Sequence, residues 1–141
     1  MSDKKLTLRV ISQEKKLLEE IVDKVTLPST DGEITILPQH AALLSELATG
    51  HLRFTQDGVE QDVVVSRGFV DVHPSGMVTV LVDSATHARD ISVEKVQQAI
   101  KDAQETMSHS EDRRELLMAE ASLKRAMLEM KIAQKSSKSG I

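Results

Sequence analysis

The side chains best suited to chemistry in this sequence are five histidines, which are His40, His51, His73, His87 and His109. No two of them are spaced so that one strand or one helical turn would present both rings to a single metal ion, and no cluster of acidic residues accompanies them. Scattered histidines of this kind are typical of turns and exposed surfaces. The sequence therefore predicts no metal site.

The acidic pairs and the glycines provide no catalytic motif either. Glu19-Glu20 and Glu111-Asp112 fit solvated surface charge better than a general acid and base. The chain contains no nucleotide-binding glycine loop and no serine elbow of a hydrolase, and most of its glycines fall in predicted turns. Without cysteine it can form neither a disulfide nor a thiolate metal site. We therefore expect no enzyme activity, no cofactor, and a binding or coupling role.

Composition limits which partners the protein can bind and in which compartment it is expected. The net charge of −4 over 141 residues argues against nucleic acid as a partner. No apolar run approaches the ~20 residues that span a bilayer, so direct membrane insertion is not expected. The N-terminal residues "MSDKKLTLRVIS" show neither the apolar core of a signal peptide nor the pattern of a transit peptide. We expect a soluble protein that stays where it is made and docks on a membrane complex, if it meets a membrane at all.

The first half of the chain has the alternating pattern of strands. Short β-branched or alternating segments such as "LTLRVIS", "EITIL", "DVVVS" and "MVTVLV" are separated by Asp31-Gly32, Asp57-Gly58 and Pro74-Ser75-Gly76. Asp-Gly accepts the positive φ angles of tight hairpins. Many short strands at this spacing predict a flattened antiparallel β-sandwich or barrel over residues 1–87.

The second half has helical periodicity. Two apolar series repeat at intervals of three and four residues: Val93, Val96, Ile100, Ala103 and Met107, then Leu116, Ala119, Leu123, Ala126, Met130 and Ala133. Between them, Ser108 and Glu111 have the spacing of a capping box, and Asp112 adds favourable charge. Residues 88–141 are therefore predicted to form an antiparallel hairpin of two helices. The fold class is α+β, with a mainly β N-terminal domain.

One segment of the sequence resembles the signature of a known protein family. Residues 25–54, "VTLPSTDGEITILPQHAALLSELATGHLRF", resemble the signature of the epsilon subunit of F-type ATP synthases. The matching positions are Gly32, Glu33, Ile36, Leu37, Pro38, His40, Leu44, Leu47 and Gly50. Residues 66–91, "SRGFVDVHPSGMVTVLVDSATHARDI", are similar to a second family block. Ala42 departs from the family, which often has proline there.

The resemblance also bears on residues 13–24, "QEKKLLEEIVDK". Their Glu, Lys and Leu content favours a helix when read alone. The family implies an extended strand instead, and we adopt the strand because tertiary context often overrides propensity.

The resemblance implies a role for the loop that ends the signature strand. In the family this loop rests on the polar loops of the membrane-embedded rotor ring, and its ring-facing positions correspond to Glu33 and His40. Pro38 stiffens the loop and Gly32 permits its turn. Read without the motif, His40 is an exposed or capping side chain. Of Leu43, Leu44 and Leu47, at least one is expected in the core.

The resemblance further implies a non-catalytic rotor subunit with three partners: the gamma shaft, the c-subunit ring, and the alpha/beta catalytic hexamer. Such a subunit couples proton or sodium flow to ATP synthesis at the cytoplasmic face of a bacterial plasma membrane or, alternatively, at a plastid thylakoid. Its hairpin inhibits ATP hydrolysis when extended. Residues 121–141 hold five basic residues and one acidic residue. The expected inhibitory face comprises Lys124, Arg125, Lys131 and Lys135.

Two alternatives remain open: an ATP-sensing switch in the same complex, and a free-standing β-sandwich adaptor. Family members that sense ATP carry an acid, then Ile-Asp-x-x-Arg-Ala, and two arginines one turn apart in the second helix. Here Ile91, Lys95 and Arg125 remain, whereas Ser92 replaces an acid and Glu129 stands where the second arginine would. We expect weak or absent ATP binding, with Ser92 as a helix N-cap.

Overall fold

The computed structural model describes residues 4–13 and 15–139, with side chains given as far as residue 135. The chain divides into two compact units, Met1–His87 and Ala88–Ile141. The first is built from strands and the second from helices.

The described part of the first unit forms ten strands in one sheet. They are β1 (Leu6–Ile11), β2 (Lys16–Val22), β3 (Lys24–Ser29), β4 (Gly32–Ile36), β5 (Leu43–Leu47), β6 (Gly50–Gln56), β7 (Val59–Val65), β8 (Gly68–Val72), β9 (Met77–Val82) and β10 (Ala85–His87). The order is β10-β7-β6-β3-β5-β8-β9-β1-β2, and β4 pairs with β3. The predicted sandwich or flattened barrel is confirmed, although β1 and β9 pair in parallel within an otherwise antiparallel sheet.

The core follows directly from strand alternation. In β9 the side chains of Val78, Val80 and Val82 are buried, while the residues between them are more exposed. Aliphatic residues fill most of the interior, and Phe54 is the one aromatic side chain buried with them in the described residues. The Asp57-Gly58 turn joins β6 to β7 with φ angles of 52° and 81°, as a two-residue hairpin of this hand requires.

The segment with helical composition is a strand. Residues Lys16–Val22 form β2, which pairs with β1 in antiparallel register. Arg9 lies opposite Glu19, and its Nε donates to the Glu19 carboxylate over 2.8 Å. Burial of Val22 and the backbone ladder outweigh the helix propensity of the Glu, Lys and Leu residues, which differs from that of alanine by only tenths of a kcal/mol each, roughly. The helix favoured by composition is therefore wrong and the strand implied by the family is confirmed.

The second unit begins with a short 3-10 turn, Ala88–Asp90, followed by helices α1 (Val93–His109) and α2 (Arg113–Ser139). Ser92 caps α1, since its side chain accepts a hydrogen bond from the Lys95 amide. The capping box expected at Ser108 is wrong, because α1 continues through His109 and the Ser108 hydroxyl donates to the Glu105 carbonyl.

Asp112 caps the second helix instead. Its carboxylate accepts from the Arg114 amide at 2.9 Å, and its carbonyl accepts from the Leu116 amide at 3.0 Å. The Ser110 hydroxyl accepts from the Asp112 amide and donates to Glu115. Residues 110–112 thus turn the chain sharply enough for α1 and α2 to pack against each other.

Small side chains occupy the contact between the helices. The buried residues of α1 are Val96 and Ala103, and α2 buries Ala119, Ala126 and Ile132. The middle of each predicted apolar stripe is therefore correct. Its outer members Val93 and Met107 are exposed, and Ile132 was not in the predicted series.

Candidate functional site

The loop after β4 has a defined turn at its start. The His40 amide donates to the Leu37 carbonyl at 3.1 Å, with Pro38 and Gln39 between them. Proline fixes φ at the first of these positions, and Gln39 has a φ of 71°. This is the geometry of a type II turn, in which glycine or asparagine is usual at the second central position. The sequence therefore holds Leu37 and His40 in fixed positions at the cost of a strained Gln39.

His40 and Glu33 occupy different parts of this region. Glu33 is the second residue of β4, whereas His40 follows the end of that strand by four positions. The His40 Nδ1 lies 2.7 Å from the Ala41 carbonyl, so this nitrogen carries the proton in the neutral ring and Nε2 remains as an acceptor. The Glu33 and His40 side chains are not hydrogen-bonded to each other, and Glu33 pairs with a different residue.

The partner of Glu33 is Arg53, which the sequence reasoning missed. Arg53 Nη2 donates to Glu33 Oε1 at 2.7 Å, and the Glu33 side chain is 57% exposed. Alternation could have placed Arg53 on the outer face of β6, because its neighbours Leu52 and Phe54 point inward, but the pairing with Glu33 requires the sheet register. A ligand that binds the Glu33 carboxylate must share it with Arg53.

The three leucines of β5 divide as their alternation requires. Leu47 is fully buried, as expected for at least one of them, and Leu43 packs partly against the core. Leu44 is 74% exposed. The strand thus presents an isolated apolar side chain to solvent close to the chain segment that carries His40.

A second exposed apolar feature runs across the outer face of the sheet. In register, Phe69 of β8 lies opposite Leu81 of β9, and Leu81 lies opposite Ile11 of β1. Phe69 is 54% and Leu81 49% exposed. A groove of about 530 Å³ is lined by these three side chains together with Glu46 and neighbouring residues. We call Ile11, Phe69 and Leu81 the apolar row; the alternation of "GFVDV" could have indicated its aromatic member.

Gly68 allows two strands to meet beside the apolar row. A Cβ atom at this position would lie 1.9 Å from the Leu81 carbonyl oxygen, which is far inside van der Waals contact. Only glycine therefore fits where β8 passes β9.

The four basic residues expected on the hairpin are all exposed, but they do not form one face. Lys124, Lys131 and Lys135 follow one another at seven and four residues, so they share a stripe of α2. Arg125 lies about 100° around the helix from Lys124. Its Nε is 3.6 Å from the Glu129 carboxylate.

Arg125 instead lines a groove of about 470 Å³ between the helices. Its charged lining residues are Asp102, Glu115, Arg125 and Glu129, so acids outnumber bases. Burial raises the pKa of the Glu129 carboxyl against the opposing effect of Arg125. Ile91 and Lys95, which correspond to positions of the family's ATP-binding motif together with Arg125, are not among the residues that line the groove. The three corresponding positions therefore do not form one site there. The groove is poorly suited to an anion.

Two further properties concern the described residues only. They contain no group of three or more side chains that could hold a metal ion. No helix among them is long and apolar enough to cross a membrane.

Comparison with known families accounts for nearly the whole chain. Residues 5–88 match the beta-sandwich domain of the ATP synthase Delta/Epsilon chain, and residues 89–134 match its long alpha-helix domain. The ATP synthase epsilon chain of Syntrophobacter fumaroxidans is 35% identical over 132 residues, which are 94% of this chain and 98% of that one. The epsilon chain of Dehalococcoides mccartyi strain CBDB1 is 38% identical over 135 residues, covering 95% and 96%.

Solved structures show the same fold. A chain of the Euglena gracilis mitochondrial ATP synthase, in its OSCP/F1/c-ring assembly, has a TM-score of 0.71 at 25% identity and is matched over 96% of this chain and 82% of its own. A chain from the central stalk and c-ring of the Tetrahymena thermophila mitochondrial enzyme has a TM-score of 0.57 at 14% identity, which shows likeness of fold alone.

The sandwich followed by a helical hairpin, matched over almost its full length by two successive domain families, defines a chain of the ATP synthase Delta/Epsilon type. The chain belongs to the delta/epsilon family of ATP synthase chains, and the relatives compared above are epsilon chains.

Proposed function

We propose that this subunit couples ion flow through the rotor ring to ATP synthesis and limits ATP hydrolysis through its hairpin. The observation that carries the proposal is the full-length match to epsilon chains together with an exposed, preorganised loop at the family's ring-facing positions. The site of action is the cytoplasmic face of a bacterial plasma membrane, and proton and sodium are both compatible with it.

The ring joint is assigned to Glu33, Pro38 and His40. The turn at Pro38 is closed by a backbone hydrogen bond, so the loop pays little conformational entropy when it docks. Leu37 and Leu44 are exposed nearby in sequence and supply apolar contact area. Glu33 and the His40 Nε2 acceptor supply polar groups that fix the register. An apolar contact with a few directional polar groups suits a joint that must transmit torque without slipping.

The apolar row is assigned as the surface of this chain that binds the gamma shaft. An exposed aromatic side chain beside an exposed leucine, with a groove of about 530 Å³, has the chemistry of an interface centre. We expect Phe69→Ser to weaken gamma binding at least tenfold, as truncation of an aromatic anchor commonly does. Val59→Ser is the matched control, because Val59 is 61% exposed and lies on β7. Equal binding by both variants, measured by titration calorimetry with purified gamma, would place the shaft elsewhere.

The hairpin is assigned as the part of this chain that contacts the alpha/beta hexamer, with Lys124, Lys131 and Lys135 as the contacting side chains. A stripe of three lysines attracts acidic surface and is screened by salt, so inhibition should weaken as ionic strength rises. Deletion of residues 110–141 is expected to raise ATP hydrolysis by the assembled complex while ATP synthesis persists. Unchanged hydrolysis across ionic strengths would remove the inhibitory part of the proposal. A free-standing adaptor, in contrast, would not enter the complex at all.

A further inference from the structure

A line of side-chain hydrogen bonds crosses one end of the sandwich. His87 Nε2 donates to Gln61 Oε1 at 2.8 Å, and Gln61 Nε2 donates to Gln56 Oε1 at 3.1 Å. Gln56 Nε2 then donates to Glu20 Oε2 at 3.0 Å and to the Ile21 carbonyl at 3.1 Å. Every donor in the line points toward the Glu20 carboxylate. Because each amide is polarised in the same direction, the bonds strengthen one another. We call these four side chains the relay.

The relay runs across three neighbouring strands and then reaches a fourth that is not paired with them. Its members come from β10, β7, β6 and β2, and β10 and β2 are the two ends of the sheet order. The bond from Gln56 to Glu20 is the one step of the relay that joins two strands not paired by backbone hydrogen bonds, the interior strand β6 and the edge strand β2. The His87 ring also meets Phe54 edge to face, with centroids 6.3 Å apart and an angle of 81° between the planes. This contact fixes the orientation of the imidazole that starts the relay.

The strand at the start of the relay is short. β10 contains three residues, and it pairs with β7 only through Ala85, Thr86 and His87. A ladder of this length leaves few backbone bonds to hold a strand, so side-chain anchors carry a larger share of its stability. His87 is also the last residue of the first unit, and the helical unit begins at Ala88.

We propose that the relay is a latch for the root of the hairpin. By holding His87, it keeps β10 paired to β7 and so fixes the point at which the chain leaves the sandwich. Opening the relay lets β10 detach and lengthens the linker that carries the hairpin. The regulatory consequence rests on the proposed function of the hairpin, whereas the latch itself is a property of the first unit.

Hydrogen exchange of the intact chain tests the latch. His87→Phe keeps an aromatic ring against Phe54 but removes the donor, and Gln61→Leu interrupts the relay at its second member. Each is expected to raise the exchange of the amides of residues 85–88 roughly fivefold, as the loss of one hydrogen bond of ordinary net strength does. Amides of β1 and β9 should exchange as in the wild type. The matched control is His51→Phe, since His51 bonds Asp62 at 2.5 Å in the same sandwich but outside the relay.

Unchanged exchange at residues 85–88 in both His87→Phe and Gln61→Leu would overturn the latch, as would an equal rise in His51→Phe. The assembled complex gives a separate readout. A freed root should favour the extended hairpin, so both relay variants should lower ATP hydrolysis. Faster exchange with unchanged hydrolysis would leave the latch intact and contradict the inhibitory role of the hairpin instead.

Discussion

The guanidinium of Arg53 on β6 lies 2.7 Å from the carboxylate of Glu33 on β4, and β3 runs between the two strands that carry them. The pair is on the outer face of the sandwich and both side chains retain contact with solvent. An exposed ion pair of this kind contributes at most about 1 kcal/mol to folding. The pair matters because the Glu33 carboxylate already accepts a hydrogen bond from Arg53. A group on the rotor ring that binds this carboxylate must displace Arg53 or share the carboxylate with it.

We predict that Arg53→Met leaves both the fold and the coupling largely intact. The free energy of unfolding should change by no more than about 1 kcal/mol in urea denaturation, because the pair is screened by water. Ion pumping should persist, since the variant frees Glu33 for the ring. Loss of pumping by Arg53→Met in a folded protein would show that the arginine itself contacts the ring.

We predict that Gly68→Ala destabilises the sandwich by roughly 3 kcal/mol, at the upper end of overpacking costs, because its Cβ would collide with the Leu81 carbonyl. Gly58→Asn is the control. Gly58 adopts a positive φ, which asparagine tolerates, and nothing lies within 4 Å of its Cβ position. Comparable midpoints for the two variants in urea would mean that β8 and β9 separate easily.

We predict that the wild-type hairpin gives no saturable heat with millimolar ATP and magnesium in titration calorimetry. Asp102, Glu115 and Glu129 outweigh Arg125 in the groove, and the Arg125–Glu129 pair already uses the guanidinium. Glu129→Arg reverses one charge and should produce measurable binding. Glu120→Arg changes the total charge equally at an exposed position outside the groove. Saturable wild-type binding would show that the groove accepts anions after all.

We predict a small acid-dependent loss of stability from the β1–β2 pair. The hydrogen bond from Arg9, helped by the charge of Lys16, lowers the pKa of Glu19 below its usual value. A carboxyl whose pKa is depressed by folding stabilises the protein above its unfolded pKa, and this contribution disappears as pH falls through the folded pKa. Glu19→Gln should therefore show a shallower decline of stability below about pH 4.3. Identical slopes for the two proteins in denaturation series would assign the decline to other carboxyls.

The sequence predicted those features that are determined by contacts between residues close together in the chain. The Asp57-Gly58 hairpin, the Ser92 cap and the alternating β9 core rest on neighbours in sequence, and all three are present. Strand β2 depends on pairing with β1, which no propensity within residues 13–24 encodes. Ser108 had the spacing of a cap, but α1 remains helical beyond it and Asp112 satisfies the amides of α2.

The candidate site shows the same division. Pro38 and the exposed loop could be identified from the motif. The Glu33–Arg53 pair spans β4 and β6 across β3, and the apolar row includes Ile11 of β1 beside β9, so both require the sheet register. Adjacency to Lys124 groups Arg125 with the lysines in the sequence, yet a single helical residue rotates it by about 100° toward a different surface.

The number of ions pumped per ATP hydrolysed tests the central claim most directly. It should be measured in membranes reconstituted with the complex carrying either the wild-type chain or Glu33→Ala/His40→Ala. The control pair Glu60→Ala/His73→Ala removes the same side-chain types from exposed positions on β7 and in the β8–β9 turn. The account predicts a lower ratio for Glu33→Ala/His40→Ala, with hydrolysis continuing and the isolated variant folded, and a normal ratio for the control. A normal ratio in both would contradict the assignment of this loop to the rotor ring.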